Sequence, residues 1–173
     1  MVVTKITMEM KMKKLLLSLV MVCLFSGFAL SQTRIVVLPF QNMDGNLKLN
    51  IYSYKLQDSL YKALQQLDPD GKNYQLVPLD SVEVLLSEMN LDPMNPQYPT
   101  DMWKAVKKLN VQKVVSGNFN LQAERFLING YVIDVETKLI DKTNQARDIF
   151  KKEERILDAI STIIKRISPA IIK

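Results

Sequence analysis

The sequence, 173 residues long, predicts an α/β domain on a mixed five-stranded sheet of order 2-1-3-4-5, with the fourth strand antiparallel to the rest. Three observations carry that expectation. Arg34-Ile-Val-Val-Leu-Pro-Phe40 is a continuous apolar run rich in Val and Ile, as expected of a central parallel strand covered by helices on both faces. From Leu49 onward apolar residues recur at helical steps, with polar turns between the segments. From Val111 the period changes to strands joined by short turns, which reads as an antiparallel meander.

Pro39 cannot donate to a ladder, so the first strand ends there and Gln41-Asn-Met-Asp-Gly-Asn46 supplies the turn. Leu49–Leu67 is a helix whose stripe is Ser53, Leu56, Leu60, Ala63, Leu64 and Leu67. Asp68-Pro-Asp-Gly-Lys-Asn73 stops it. Tyr74–Pro78 is short and ends in proline, which suits an edge strand. Asp80-Ser-Val-Glu83 is a capping pattern for a second helix, with Val82, Leu85, Leu86 and Met89 inward and Asn90 closing it in a left-handed turn. Pro93, Pro96 and Pro99 stiffen residues 91–99. Thr100 caps a third helix, with Met102, Val106 and Leu109 inward and Asn110 at its close. Gln112–Leu121, Arg125–Val135 and Leu139–Phe150 form the meander, turning at Gln122-Ala-Glu124 and Glu136-Thr-Lys138. The polar middle of the last strand marks an exposed edge. Ile156, Ile160, Ile163, Ile164 and Ile167 define a final helix that Ser168-Pro169 ends or kinks. Parallel pairs need crossovers, so the first strand is central, the second flanks it, and the meander continues outward on the other side.

Lys11, Lys13 and Lys14 precede an apolar run, Leu15–Phe25, broken only by Ser18, and small residues follow at Ala29 and Ser31. This is the pattern of a secretory signal peptide cleaved between Ser31 and Gln32. The run Leu15–Leu30 is shorter than the roughly 20 residues of a spanning helix. A retained anchor and lipidation at Cys23 are the alternatives, the latter opposed by the bulk of Val22. Met12-Lys-Lys-Leu makes a natural start, which would make residues 1–11 an upstream extension. On this division residues 1–31 are leader and residues 32–173 a single domain.

The leader holds four lysines and one acid, leaving 19 bases and 17 acids and a net charge of +2, against +5 for the whole chain. Charge therefore gives no support to nucleic-acid binding. There is no histidine, and Cys23, in the leader, is the single cysteine. A mature chain without either has no disulfide, thiol nucleophile, Ser-His dyad or Cys/His zinc site, and no cofactor is expected.

Asn42, Asp44 and Asn46 follow the carboxyl end of the central strand, where open α/β sheets bind ligands. The loop lacks the glycine-rich run and lysine of a phosphate cradle, and a plain turn is the competing reading. Asp44 with Asp58, and Glu153 with Glu154, are spaced as solvated positions rather than as acid/base pairs. Tyr98 and Trp103 flank the end of the proline-rich connection, where an exposed aromatic anchors a protein partner. The alternative packs Trp103 between helix and sheet. Tyr52, Tyr54 and Tyr61 lie off the apolar stripe, as a second contact surface or a half-buried face. Gly117 lies inside a strand, which implies a bulge or the close approach of a helix.

These residues also carry a resemblance. Ile35-Val-Val-Leu-Pro-Phe40-Gln-Asn42 resembles the "VAVLPF-x-N" opening of TolB-like amino-terminal domains, whose superfamily includes FlgO-like and CsgG-like envelope proteins. Tyr74-Gln-Leu-Val-Pro-Leu-Asp-Ser-Val-Glu83-Val-Leu-Leu86, Ala105-Val-Lys-Lys-Leu-Asn-Val111-Gln-Lys-Val-Val-Ser-Gly117 and Tyr131-Val-Ile-Asp134-Val-Glu-Thr137 are similar to later family segments, in the same order. Asn110 and Lys138 stand where the family has glycine, and Pro78-Leu79 replaces a polar lead-in. The resemblance implies a three-layer sandwich related to anticodon-binding-like domains. It also implies an exported, non-catalytic envelope module, at the periplasmic side, that binds another protein in assembly, secretion or cell-wall synthesis. Membrane contact would come only through an uncleaved leader. The alternatives are a small-ligand receptor or hydrolase using the Asn42–Asn46 loop, and a subunit of an oligomeric CsgG-like secretion complex.

Overall fold

The structure is a computed structural model and describes residues 32–172. The predicted leader, with Ala29 and Ser31 at its cleavage point, lies outside that range. Six strands form one sheet: β1 (Thr33–Val37), β2 (Gln41–Asn42), β3 (Tyr74–Leu76), β4 (Lys113–Gln122), β5 (Arg125–Asp134) and β6 (Ala146–Lys151). The order is β3-β1-β4-β5-β6, the arrangement read from the sequence, with β2 as an addition that pairs with β4. β1 is parallel to β3 and to β4, while β5 runs antiparallel to β4 and to β6.

Four α-helices cover the sheet: α1 (Ile51–Leu67), α2 (Leu79–Glu88), α3 (Tyr98–Leu109) and α4 (Ala159–Ile171). The alternation of β1 explains the layering. Ile35 and Val37 enter one core with Leu56, Leu60 and Leu64 of α1 and Ile160, Ile163 and Ile167 of α4. Val36 and Leu38 enter a second core with Val82 and Leu86 of α2 and Ala105 and Val106 of α3. Helices thus lie on both faces, which makes a three-layer α/β sandwich. No helix of the described residues is long and apolar enough to cross a membrane.

Several boundaries differ from the sequence reading. The last strand begins at Ala146 rather than Leu139, because the Asp141 carboxylate accepts the Thr143 and Asn144 amides, both at 2.9 Å, and turns the chain into a loop. Pro78, not Asp80, is the N-cap of α2, and Asp80 sits in its first turn. α3 begins at Tyr98 with Pro99 in its opening turn, two residues before the expected Thr100 cap. α4 runs through Pro169 to Ile171 and is preceded by a 3-10 segment over Glu153–Asp158. Asn90 and Asn110 take the expected left-handed conformation, each at φ 50°, and Lys138 takes φ 58°. Ala123 and Glu124, at φ 46° and 63°, make the tight two-residue turn between β4 and β5.

The junction from α1 into β3 hangs on one carboxylate. Asp68, 9% exposed, accepts from the amides of Lys72 (3.0 Å), Asn73 (2.7 Å) and Tyr74 (3.1 Å) and from the Asn73 side chain (3.2 Å). Burial pushes this carboxyl up, but the bonds from Asn73, Tyr74 and Lys72 together outweigh it and hold its pKa below the ordinary value. Hydrogen bonds from Thr137 lower Asp134, and those from Asn144 lower Asp141. Depressed folded values mean that these contributions are complete above the unfolded carboxyl pKa of about 3.9 and vanish as pH falls through the lower folded values. We expect a thermal midpoint that is level from neutral pH down to about 5 and drops below about 4. Asp68→Asn should lower the neutral midpoint and flatten the acid limb. An unchanged acid limb in that variant, followed by circular dichroism, would remove Asp68 from this role.

Candidate functional site

The chain leaves β1 at Val37, and the Leu38 amide donates to the Val115 carbonyl at 2.9 Å. Two contacts then dock α1 onto this strand end: Gln57 Nε2 donates to the Val37 carbonyl at 2.9 Å, and the Phe40 amide to the Ser53 carbonyl at 3.2 Å. Buried polar groups so placed set where the next loop starts.

Asn42 organises that loop. At 8% exposure, it donates through Nδ2 to the Asn46 carbonyl and to Asn50 Oδ1, both at 2.9 Å, and accepts the Asp44 amide on Oδ1 at 3.0 Å. Asp44 Oδ2 accepts the Leu121 amide at 2.5 Å, and the Met43 amide reaches the Phe119 carbonyl at 2.9 Å, so the loop is stitched to the far end of β4. Asn46 caps the 3-10 turn Leu47–Leu49 by accepting the Lys48 amide at 3.1 Å. The three predicted loop residues are therefore brought together, but as backbone supports. A cleft of about 600 Å³ beside Pro39 is lined by other residues, and neither Asp44 nor Asn46 reaches it. Among the described residues, no three His, Cys, Asp or Glu side chains group as metal ligands.

Of the loop's polar residues only Asn42 is buried; Asp44 and Asn46 stay exposed while bonding backbone amides, and the apolar side chains beside them are exposed too. Leu47 is 76% exposed, Met43 57%, Ile51 54% and the adjoining Leu121 42%. The sequence reading missed this surface. Its trace is the four-residue step from Leu47 to Ile51, which puts both off the buried stripe of Ser53, Leu56 and Leu60.

The remaining candidates fall elsewhere. Tyr98 is buried at 4% exposure, correcting the expectation of an exposed aromatic: a helix that starts at Tyr98 places it on the inward stripe with Ala105 and Val106. Burial, reinforced by Tyr54, drives its hydroxyl pKa well above the ordinary value. Trp103 is half-buried against the second core, with Lys138 Nζ 5.5 Å from its ring centroid. Tyr52 packs edge-on to Phe126, and its hydroxyl donates to Glu153 at 2.5 Å; that bond, with burial, lifts the hydroxyl to about 12. Asp58 pairs with Lys62 at 2.7 Å on the outside of α1, remote in role from Asp44.

Fold and site together define a three-layer α/β domain with a fixed loop and an apolar surface at the carboxyl end of its central strand. No protein-family model matches the chain, and no curated protein matches it in sequence. Among solved structures it is similar to the LpoB C-terminal domain from Salmonella enterica, at 13% identity and TM-score 0.49, over 70% of this chain and 83% of that one. It is similar to lipoprotein GNA1162 from Neisseria meningitidis at 13% identity and TM-score 0.49, over 80% and 99% of the two chains. TolB from Acinetobacter baumannii follows at 14% identity and TM-score 0.45, over 81% of this chain and 28% of that one. The fold assignment rests on this chain's own strand order and pairing.

Proposed function

We propose that this chain is an exported, non-catalytic module of the cell envelope whose Asn42–Ile51 loop binds another protein. The observation that carries the reading is a loop fixed by the side-chain bonds of Asn42, Asp44 and Asn46, with Met43, Leu47 and Ile51 exposed alongside them. Exposed apolar surface of this kind marks interaction sites, and a loop fixed beforehand loses little entropy on docking. The leader-like start, the lack of histidine and the resemblance to TolB-like domains support the same reading. On this reading the mature protein begins at Gln32 and resides in the periplasm. A mature species retaining Met12–Leu30, found by intact-mass measurement, would refute cleavage.

The binding surface is tested by a photo-crosslinker at Leu47, with exposed Lys165 on α4 as the control position. We expect Leu47 to join the chain to one envelope protein and Lys165 not to. Against that purified protein, Leu47→Ala with Ile51→Ala should weaken binding at least ~30-fold, since truncated anchors cost about 2 kcal/mol or more, while Trp103→Ala changes it little. A folded double variant that binds as the parent does overturns the loop assignment. Loss through a folded Trp103→Ala instead moves the interface to that face. The finer alternative, a subunit of an oligomeric CsgG-like complex, would make the Leu47 crosslink join two copies of this chain.

A further inference from the structure

The apolar surface beside the Asn42–Asn46 loop holds one atom that oxidants attack. Leu47, Ile51 and Leu121 are aliphatic, whereas Met43 ends in a thioether and is 57% exposed. The other three methionines of the described residues lie deeper. Met89 and Met102 pack against the second core, and Met94 is half-buried in the proline-rich connection.

The backbone holds Met43 in place. Its amide donates to the Phe119 carbonyl at 2.9 Å, and Asn42 before it pairs with Phe119 where β2 joins β4. Asp44 after it accepts the Leu121 amide at 2.5 Å. Three consecutive residues are thus tied to the end of β4, and a shift of the loop cannot withdraw the side chain from solvent without breaking these bonds. Exposure sets how readily an oxidant reaches the sulfur. Placement decides what the product does: a sulfoxide is polar and an acceptor, and the aliphatic side chains of Leu47 and Ile51 offer it no donor.

We propose that Met43 is an oxidation-sensitive residue of this domain and that its sulfoxide switches the apolar loop off as a binding surface. The inference rests on the protein-binding reading of that loop and adds its regulation. The step is a two-electron oxidation by a hydroperoxide. A sulfur lone pair attacks the terminal peroxide oxygen, and the O–O bond breaks as the S–O bond forms. The proton of the transferred oxygen passes to the departing one, which leaves as water or an alcohol. Methionine sulfoxide reductases, one for each epimer, reverse the change. A partner seated on the loop would bury the new S–O dipole against apolar surface, which weakens the complex without disturbing the free domain.

The test exposes the purified full chain to hydrogen peroxide, folded and in guanidinium chloride, and locates each oxidised methionine by peptide mass spectrometry. In the folded chain we expect Met43 to gain oxygen at least ~10-fold faster than Met89, Met94 and Met102, with the four rates converging in denaturant. Equal rates in the folded chain would overturn the site. The consequence is read against the purified protein that the Leu47 crosslinker captures. Oxidation should weaken its binding at least ~10-fold, and reductase treatment should restore it. Met43→Leu, which keeps the apolar bulk without the thioether, should bind equally before and after peroxide. Binding that survives complete oxidation of Met43, or that the Met43→Leu chain loses on oxidation, would overturn the switch and leave the Leu47 interface standing. If Leu47 captures no protein before oxidation, the protein-binding reading falls and the switch with it, while the oxidation rates still decide the site.

Discussion

Replacing Gly117 with alanine is expected to cost about 3 kcal/mol or more, and Gly117→Val to leave no cooperative fold. A Cβ at this position would lie 2.0 Å from the Asn129 carbonyl oxygen and 2.3 and 2.6 Å from two atoms of the Phe40 ring. The first contact decides the magnitude. Asn129 belongs to β5, which pairs with β4 along ten consecutive register positions from Lys113–Asp134 to Gln122–Arg125, so its backbone cannot retreat without opening the ladder. Phe40 is fully buried, so its ring can retreat only by displacing close-packed neighbours. For a domain of this size a loss of that order lowers the thermal midpoint by roughly 10 °C. Phe40→Leu should recover little of it, because the carbonyl clash remains. An unchanged midpoint for Gly117→Ala, by calorimetry, would show that the strands can part here at no cost.

The same position shows what the sequence could and could not disclose. A glycine amid Val114-Val-Ser-Gly-Asn-Phe119 announced a close approach, but not the approaching group. Neither a bulge nor a helix is responsible; a ring and a neighbouring carbonyl are, and the bulge falls instead between Ile128 and Gly130 of β5. Sheet order was legible because it follows from coarse constraints: a run apolar on both faces must be central, and parallel neighbours need crossovers. The limits of β6 were not, because residues 139–150 contain apolar residues at both ends and a carboxylate that prefers its own turn at Asp141. Ile140 still makes one isolated bridge, to Ile133, so the strand reading erred in continuity.

Pro169 misled for a similar reason. Proline in a helix interior costs about 3 kcal/mol, but one turn from the end its missing donor deprives a single carbonyl. Continuing the helix buries Ala170 and Ile171, 7% and 2% exposed, and burial of an isoleucine is worth ~1.5–3 kcal/mol. Tertiary packing outweighs the local signal there. Tyr98 was legible in principle, since Pro99 is a natural first-turn residue and the steps from Tyr98 to Met102, Ala105 and Val106 lie on one face. The apolar loop was the hardest to see. Asn42, Asp44, Gly45 and Asn46 look like any turn, and only the observed bonds reveal that Asn42, Asp44 and Asn46 fix the loop in place.

Gly130 offers the opposite case to Gly117, and the pair Gly130 and Ile163 should behave as a unit. A Cβ at Gly130 would meet only the Ile163 side chain among its three nearest atoms, at 2.7 Å from Cγ2, 3.3 Å from Cγ1 and 3.5 Å from Cδ1. Ile163 is fully buried where α4 packs on β5. Gly130→Ala alone overfills that contact and should cost ~1–3 kcal/mol. Ile163→Ala alone leaves a cavity and should cost ~2–5 kcal/mol. Combined, the new methyl occupies part of the space that the isoleucine vacates, so the double variant should be more stable than the sum of the two losses by ~0.5–3 kcal/mol. Nothing comparable is available at Gly117, where the obstructing atom is backbone. Urea denaturation of the four proteins measures the coupling. Losses that add within about 0.5 kcal/mol would mean that Gly130 is not there to admit Ile163, and that the contact between α4 and the sheet is set by other residues.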